Sequence, residues 1–151
     1  MDRKFTINWV LINELAVGSP PTKLTHLNEL NKKGIKSILS LCSEKEAKIV
    51  SNGFQHKRYI LPDHSYGISP TKTQVLDVLI LIEELKKNGP IFVHCKAGVE
   101  RSPLICLACL LKNMNLSLDN ALEYLKEVHP KTNILPEQLD SIRFLLKKEI
   151  D

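Results

Sequence analysis

No apolar run in this sequence approaches the ~20 residues that a membrane-crossing helix needs. The longest, Val75 to Ile82 and Leu104 to Leu111, stop far short, and the first carries Asp77. The run Trp9-Val10-Leu11-Ile12 is cut by Asn13 and Glu14, too short for the core of a secretory signal. Basic residues form no dense stripe, only pairs such as Lys32-Lys33, Lys86-Lys87 and Lys147-Lys148, which read as solvated helix ends and exclude a nucleic-acid surface. There is no internal repeat, no low-complexity segment and no Pro/Gly/Ser-rich linker to divide the chain. No His/Cys cluster has zinc-ligand spacing.

What is present is ordinary globular material. The 151 residues, 43% apolar and 25% charged, suit one domain over residues 1–151 and exclude a disordered or fibrous chain. The net charge of +4 suits an anionic small substrate or a weak contact with a membrane surface. Four cysteines without a secretory signal point to reduced thiols and a cytoplasmic setting, so the Asn115-Leu116-Ser117 glycosylation triplet carries no meaning. A monomer is the simplest expectation.

Strand and helix signals alternate. Phe5 to Asn8 and Leu15 to Val17 read as short strands, the second closed by Gly18-Ser19-Pro20-Pro21. Thr22 is placed to cap a helix with Leu24, Leu27 and Leu30 on one face, ended by Gly34. Ile35 to Leu41 reads as a buried strand, and Ser43 with Glu46 as the capping box of a short helix stopped by Gly53. A strand from Gln55 to Leu61 leads to a loop and then to a helix opened by Ser69-Pro70 and running to Asn88. Ile91 to His94 is another apolar strand. Pro103 opens a helix, Leu104 to Lys112, that is hydrophobic all round and therefore central. Ser117 caps a further helix ended by His129-Pro130, and a last helix is expected from Pro136 to Glu149. This order predicts an α/β fold, with a central, mostly parallel, twisted sheet of about five strands flanked by helices and a helical run at the C-terminal end.

The chemistry concentrates in Val93-His94-Cys95-Lys96-Ala97-Gly98-Val99-Glu100-Arg101-Ser102-Pro103. A buried strand delivers Cys95 to its carboxyl end, where open α/β sheets bind ligands. Gly98 lets the backbone of Lys96, Ala97, Val99 and Glu100 curl, so that N–H groups can face one concavity. The helix N-terminus adds its positive end, and Arg101 can close the cradle with a planar, two-pronged guanidinium. In such a field a thiolate is favoured over a thiol. Ser102 can donate to the sulfur, and His94 orients the loop by hydrogen bonds instead of acting as a base. Cys106 and Cys109 form a C-x-x-C inside an apolar helix and read as core.

His94-Cys95-Lys96-Ala97-Gly98-Val99-Glu100-Arg101-Ser102 resembles the HCxxGxxRS signature loop of the protein tyrosine phosphatases, and the short chain looks like their dual-specificity branch. Leu15 to Ser19, Ile35 to Leu41, and Asn133 with Gln138-Leu139 are similar to flanking family segments, although Thr132 stands where a proline usually precedes the asparagine. The resemblance implies hydrolysis of phosphomonoesters on proteins through a phosphocysteine, with no cofactor and no metal. It also implies an aspartic acid on a loop about thirty residues before the cysteine, and Asp63 lies 32 residues before Cys95. His64 and Tyr66 on that loop are candidate rim residues. Lys96-Ala97-Gly98 resembles the loop opening of phosphoinositide and phosphatidylglycerophosphate phosphatases, whereas Glu100 would repel a multiply phosphorylated headgroup. In related lipid phosphatases a cysteine after a similar strand pairs reversibly with the nucleophile, which makes Cys42 a candidate redox partner. A non-catalytic phosphate-binding module and a sulfurtransferase are the remaining alternatives.

Overall fold

The computed structural model describes residues 4–63 and 67–146. Its strands are β1 (Ile7–Leu11), β2 (Leu15–Gly18), β3 (Ser37–Ser40), β4 (Gln55–Arg58) and β5 (Ile91–His94), joined in one five-stranded sheet of order β1-β2-β5-β3-β4. Every pairing is parallel except β1 with β2. The helices are α1 (Leu24–Lys32), α2 (Lys72–Lys86), α3 (Arg101–Met114), α4 (Leu118–Val128) and α5 (Pro136–Asp140), followed by a short 3₁₀ turn at Arg143–Leu145. The predicted fold class is therefore the observed one.

Period-two alternation splits the core into two layers. Leu15, Val17, Leu39, Ile91 and Val93 face one side, where they meet α2 and α3 through Val78, Leu79, Ile82, Leu104 and Leu107. Ala16, Ile38 and Phe92 face the other, against Leu27 and Leu30 of α1. The central strands are buried on both faces, which explains their unbroken apolar runs. In α3 every residue from Arg101 to Leu111 is buried, so the helix lies inside the molecule as its composition predicts.

Several boundaries differ from the sequence reading. The first strand is Ile7–Leu11, because Asn13, at φ 62°, turns the chain and sets Leu11 opposite Leu15. Lys23, not Thr22, is the residue before α1. The reciprocal cap of α2 is Thr71 with Gln74, the Thr71 hydroxyl accepting from Gln74 N at 3.1 Å while the Gln74 amide accepts from Thr71 N at 2.9 Å. Ser43 and Glu46 do make capping-box bonds, but no helix follows them, since Val50 N donates instead to Pro21 O. The last helix ends at Asp140, where tighter i→i+3 bonds carry Ile142 into the core. Its expected end at Glu149 lies outside the described residues.

At the carboxyl end of the sheet the register sets Gly18, His94 and Ser40 in one row. Gly18 is held there by its neighbours, because a Cβ at this position would sit 1.8 Å from the carbonyl oxygen of Thr6. That backbone is itself pinned, with Thr6 N donating to Ser19 Oγ at 2.8 Å. Gly18→Ala is expected to destabilise the fold at or above the top of the ~1–3 kcal/mol range of overpacking substitutions. Urea unfolding measures this, and a change below ~0.5 kcal/mol would show that β1 can move away freely.

Candidate active site

β5 ends at His94, and Cys95 follows as the first residue of the loop that reaches α3 at Arg101. Because β5 lies between β2 and β3, Cys95 emerges at the centre of the sheet edge, 3% exposed. The Ser102 hydroxyl lies 3.2 Å from its sulfur. A cavity of about 280 Å³ opens here, lined by Asp63, Cys95, Lys96, Glu100 and Arg101, together with Ala97 and Val99. The predicted nucleophile, acid, guanidinium and loop thus meet around one space. His64 and Tyr66, the other candidates on the Asp63 loop, lie outside the described residues.

The loop turns carbonyl oxygens outward, and each must find a donor. His94 Nδ1 donates to the carbonyl of Cys95 at 3.0 Å, His129 Nε2 to that of Gly98 at 2.6 Å, and Asn133 N to that of Val99 at 2.9 Å. Gly98 itself has φ 71°, and a Cβ there would press to 3.0 Å against the Gly18 carbonyl oxygen. His94 is thus hydrogen-bonded to the backbone of the loop. Since its Nδ1 carries the donated proton, Nε2 accepts from Ser40 Oγ at 2.6 Å, and Ser40 Oγ accepts from His56 Nε2 at 2.8 Å. Burial pushes the His94 imidazole down to about 4, so the ring is neutral near pH 7.

Arg101 is buried and has a partner that the sequence reading missed. Its Nη2 donates to Glu46 Oε1 at 2.7 Å, and its Nη1 donates to Glu46 Oε2 at 3.2 Å and to Leu61 O at 3.3 Å. Of the five guanidinium N–H groups this leaves Nε–H and one on Nη2, which share an edge and form a parallel pair of donors for an anion. Burial works against the charge on Arg101, but Glu46, with Cys95 and Asp63, outweighs it and raises its pKa. The hydrogen bond from Arg101 in turn holds the Glu46 carboxyl at about 2, well below its usual range. The sequence signal for Glu46 was its place after the carboxyl end of β3, beside Ser43. The same signal read locally as a helix cap.

Cys42 follows β3 and is buried, and its thiol is pushed up by burial first and by Cys95 next. Arg58 Nη1 donates to the Cys42 carbonyl. Cys106 and Cys109 are buried in α3 as expected, with burial holding Cys109 at about 12. Among the described residues no group of three or more His, Cys, Asp or Glu side chains could hold a metal ion, and no helix is long and apolar enough to cross a membrane.

The family model for the dual specificity phosphatase catalytic domain matches residues 17–148, so the chain belongs to that family of cysteine-based phosphatases. It is 32% identical to human dual specificity protein phosphatase 7 over 127 residues, which is 80% of this chain and 30% of that protein. It is 24% identical to the phosphatidylglycerophosphate phosphatase PTPMT2 of Arabidopsis thaliana, over 86% of this chain and 59% of that one. The chain thus spans about a third of the length of the first of these relatives. In fold it is similar to Tk-PTP in its active form, with a TM-score of 0.78 and 22% identity, over 92% of this chain and 95% of the other.

Glu46→Gln keeps the shape of the carboxylate but removes its charge. It is expected to lower kcat/KM for an aryl phosphate about 10- to 100-fold, the effect of losing a hydrogen bond to a charged group. The native Glu46 pKa lies below the unfolded value, so its stabilisation is full above about pH 4.5 and is lost as pH falls toward 2. The variant should lose that part of the acid slope in unfolding experiments, and an unchanged slope and turnover would detach Glu46 from the site.

Proposed function

We propose that the chain is a metal-independent phosphomonoesterase acting on phosphotyrosine or phosphoserine/threonine in proteins. The observation that carries this reading is the convergence of Cys95, Asp63 and Arg101 on one cavity, with the Ser102 hydroxyl against the Cys95 sulfur. The Cys95 thiolate attacks phosphorus in line, and the bond to the leaving oxygen breaks as Asp63 gives that oxygen its proton. The free edge of Arg101 and the loop amides hold the equatorial oxygens. Water then attacks the phosphocysteine, giving its proton to the Asp63 carboxylate, and the sulfur departs as thiolate, stabilised by the hydrogen of Ser102. Inorganic phosphate leaves and the enzyme is restored.

The likeness to a phosphatidylglycerophosphate phosphatase, together with Lys96 in the loop, supports a second reading, phospholipid hydrolysis on the same scaffold. Glu100, which also lines the cavity, argues against a highly charged headgroup there.

Hydrolysis of para-nitrophenyl phosphate with EDTA present tests the main reading. Turnover should persist in the chelator and vanish in Cys95→Ser, and turnover retained by that variant would remove Cys95 as nucleophile. Asp63→Asn should lose about 10²–10⁴-fold on alkyl phosphates, whose leaving groups need a proton, and much less on the nitrophenyl ester. Equal losses on both would exclude Asp63 as the acid.

The Cys42 assignment rests on the resemblance to lipid phosphatases: mild peroxide oxidises Cys95 to the sulfenic acid, and the Cys42 thiol displaces water to give a disulfide. Peptide mapping should find the Cys42–Cys95 link, reversible by dithiothreitol, with activity recovered. Sulfonic acid at Cys95 without that link would sink the pairing.

A further inference from the structure

Three side chains form a line across the sheet that ends at the nucleophile: His56 on the outermost strand β4, Ser40 at the end of β3 and His94 at the end of β5. Ser40 Oγ lies 2.8 Å from His56 Nε2 and 2.6 Å from His94 Nε2, and His94 Nδ1 lies 3.0 Å from the Cys95 carbonyl oxygen. Ser40 and His94 are wholly buried, so neither can exchange these partners for water. The His94 ring also stacks against Phe92, with centroids 6.2 Å apart.

The two contacts at Ser40 need two hydrogens, of which the hydroxyl owns one. One imidazole must supply the other. If His94 supplied it from Nε2, the neutral ring would keep no hydrogen on Nδ1, and the Cys95 carbonyl would face a lone pair. The hydrogen therefore comes from His56. Burial pulls the pKa of this half-buried ring below its ordinary value, with help from Arg58 and against Glu44. Near pH 7 the ring is thus uncharged, with one proton to place on either nitrogen. Its Nδ1 has no partner among the described residues and is open to solvent, which can serve both tautomers. Whichever tautomer His56 adopts is passed inward.

At the inner end, the peptide that joins Cys95 to Lys96 is planar and trans. A carbonyl tied outward therefore aims the Lys96 N–H the opposite way, toward the space beside the sulfur. We propose that His56 is a positioning residue of the active site: by donating to Ser40 it sets the tautomer of His94, fixes the Cys95 carbonyl and aims the Lys96 amide at a bound phosphoryl group. This deepens the phosphatase reading, on which its effect on turnover rests; the tautomer of His94 is independent of that reading.

The test varies residue 56 by what it can donate. His56→Glu offers Ser40 only an acceptor, which turns the hydroxyl outward and forces His94 to donate from Nε2. Nitrogen-15 NMR of the imidazoles at about pH 7.5 should show His94 changing from the Nδ1–H to the Nε2–H tautomer. With one buried carbonyl left unpaired, kcat/KM for para-nitrophenyl phosphate should fall about 10-fold, and inorganic phosphate should inhibit more weakly by a similar factor. His56→Gln, whose amide can donate at the same place, should return the Nδ1–H tautomer and most of the turnover. On a Ser40→Ala background the line is cut, and His56→Glu should cost less than about twofold more. A full loss on that background would assign the effect to the added charge and overturn the proposal. An Nδ1–H tautomer retained in His56→Glu would overturn it as well. Wild-type protein that leaves para-nitrophenyl phosphate intact, while the His94 tautomer still follows residue 56, would sink the phosphatase reading and leave the positioning of the loop standing.

Discussion

A backbone that gathers its amides toward an anion must turn carbonyls the other way, and each buried carbonyl then needs a donor. The rest of this protein is arranged around that constraint. The carbonyls of Cys95, Gly98 and Val99 are met by donors from three places in the chain: His94 at the end of β5, His129 after α4, and the amide of Asn133. The two imidazoles are fixed in turn. His94 is held by Ser40 and His56, and His129 accepts from Asn8 Nδ2 on β1 at 2.8 Å. The loop is rigid because strands on both sides of β5 and the segment beyond α4 hold it from outside.

This explains why the sheet needs its particular order. With β5 between β2 and β3, Gly18 and Ser40 flank His94 in register. The one side has no room for a side chain, since a Cβ on Gly18 would run into the Thr6 carbonyl and one on Gly98 would press on the Gly18 carbonyl oxygen. The other needs a hydroxyl small enough to fit between two imidazoles. The hydrogen-bond direction is fixed throughout, from His56 to Ser40 to His94 to the Cys95 carbonyl, because a carbonyl can only accept. A neutral His94 matches that order, and burial keeps it neutral.

How much of this could be read from the sequence follows from sequence distance. Cys95, Gly98, Arg101 and Ser102 lie within eight consecutive residues, so strand, turn and helix start were visible together. Asp63 was reachable through family resemblance, because its distance from Cys95 is regular there. Glu46 and Ser40 lie 55 and 54 residues from the groups they bind, and His129 lies 31 residues from Gly98. Nothing local marks them: Ser43 and Glu46 form real capping bonds, and His129-Pro130 really does end a helix. Local chemistry accounted for these residues fully enough to hide their second use. Boundaries shifted for a similar reason, as at Val50, where a bond to Pro21 displaced the helix that the local pattern favoured.

The pairing of Arg101 with Glu46 also bears on how the site handles charge. An isolated buried guanidinium would be costly to desolvate, and it would offer an anion any of its edges in place of a single one. Here Glu46 and Leu61 take three of the N–H groups, fix the plane of the group and compensate its charge. What remains for an anion is one pair of parallel donors in a set direction. Such an arrangement gives up part of the affinity for ground-state phosphate in exchange for orientation, and orientation is what an in-line displacement requires.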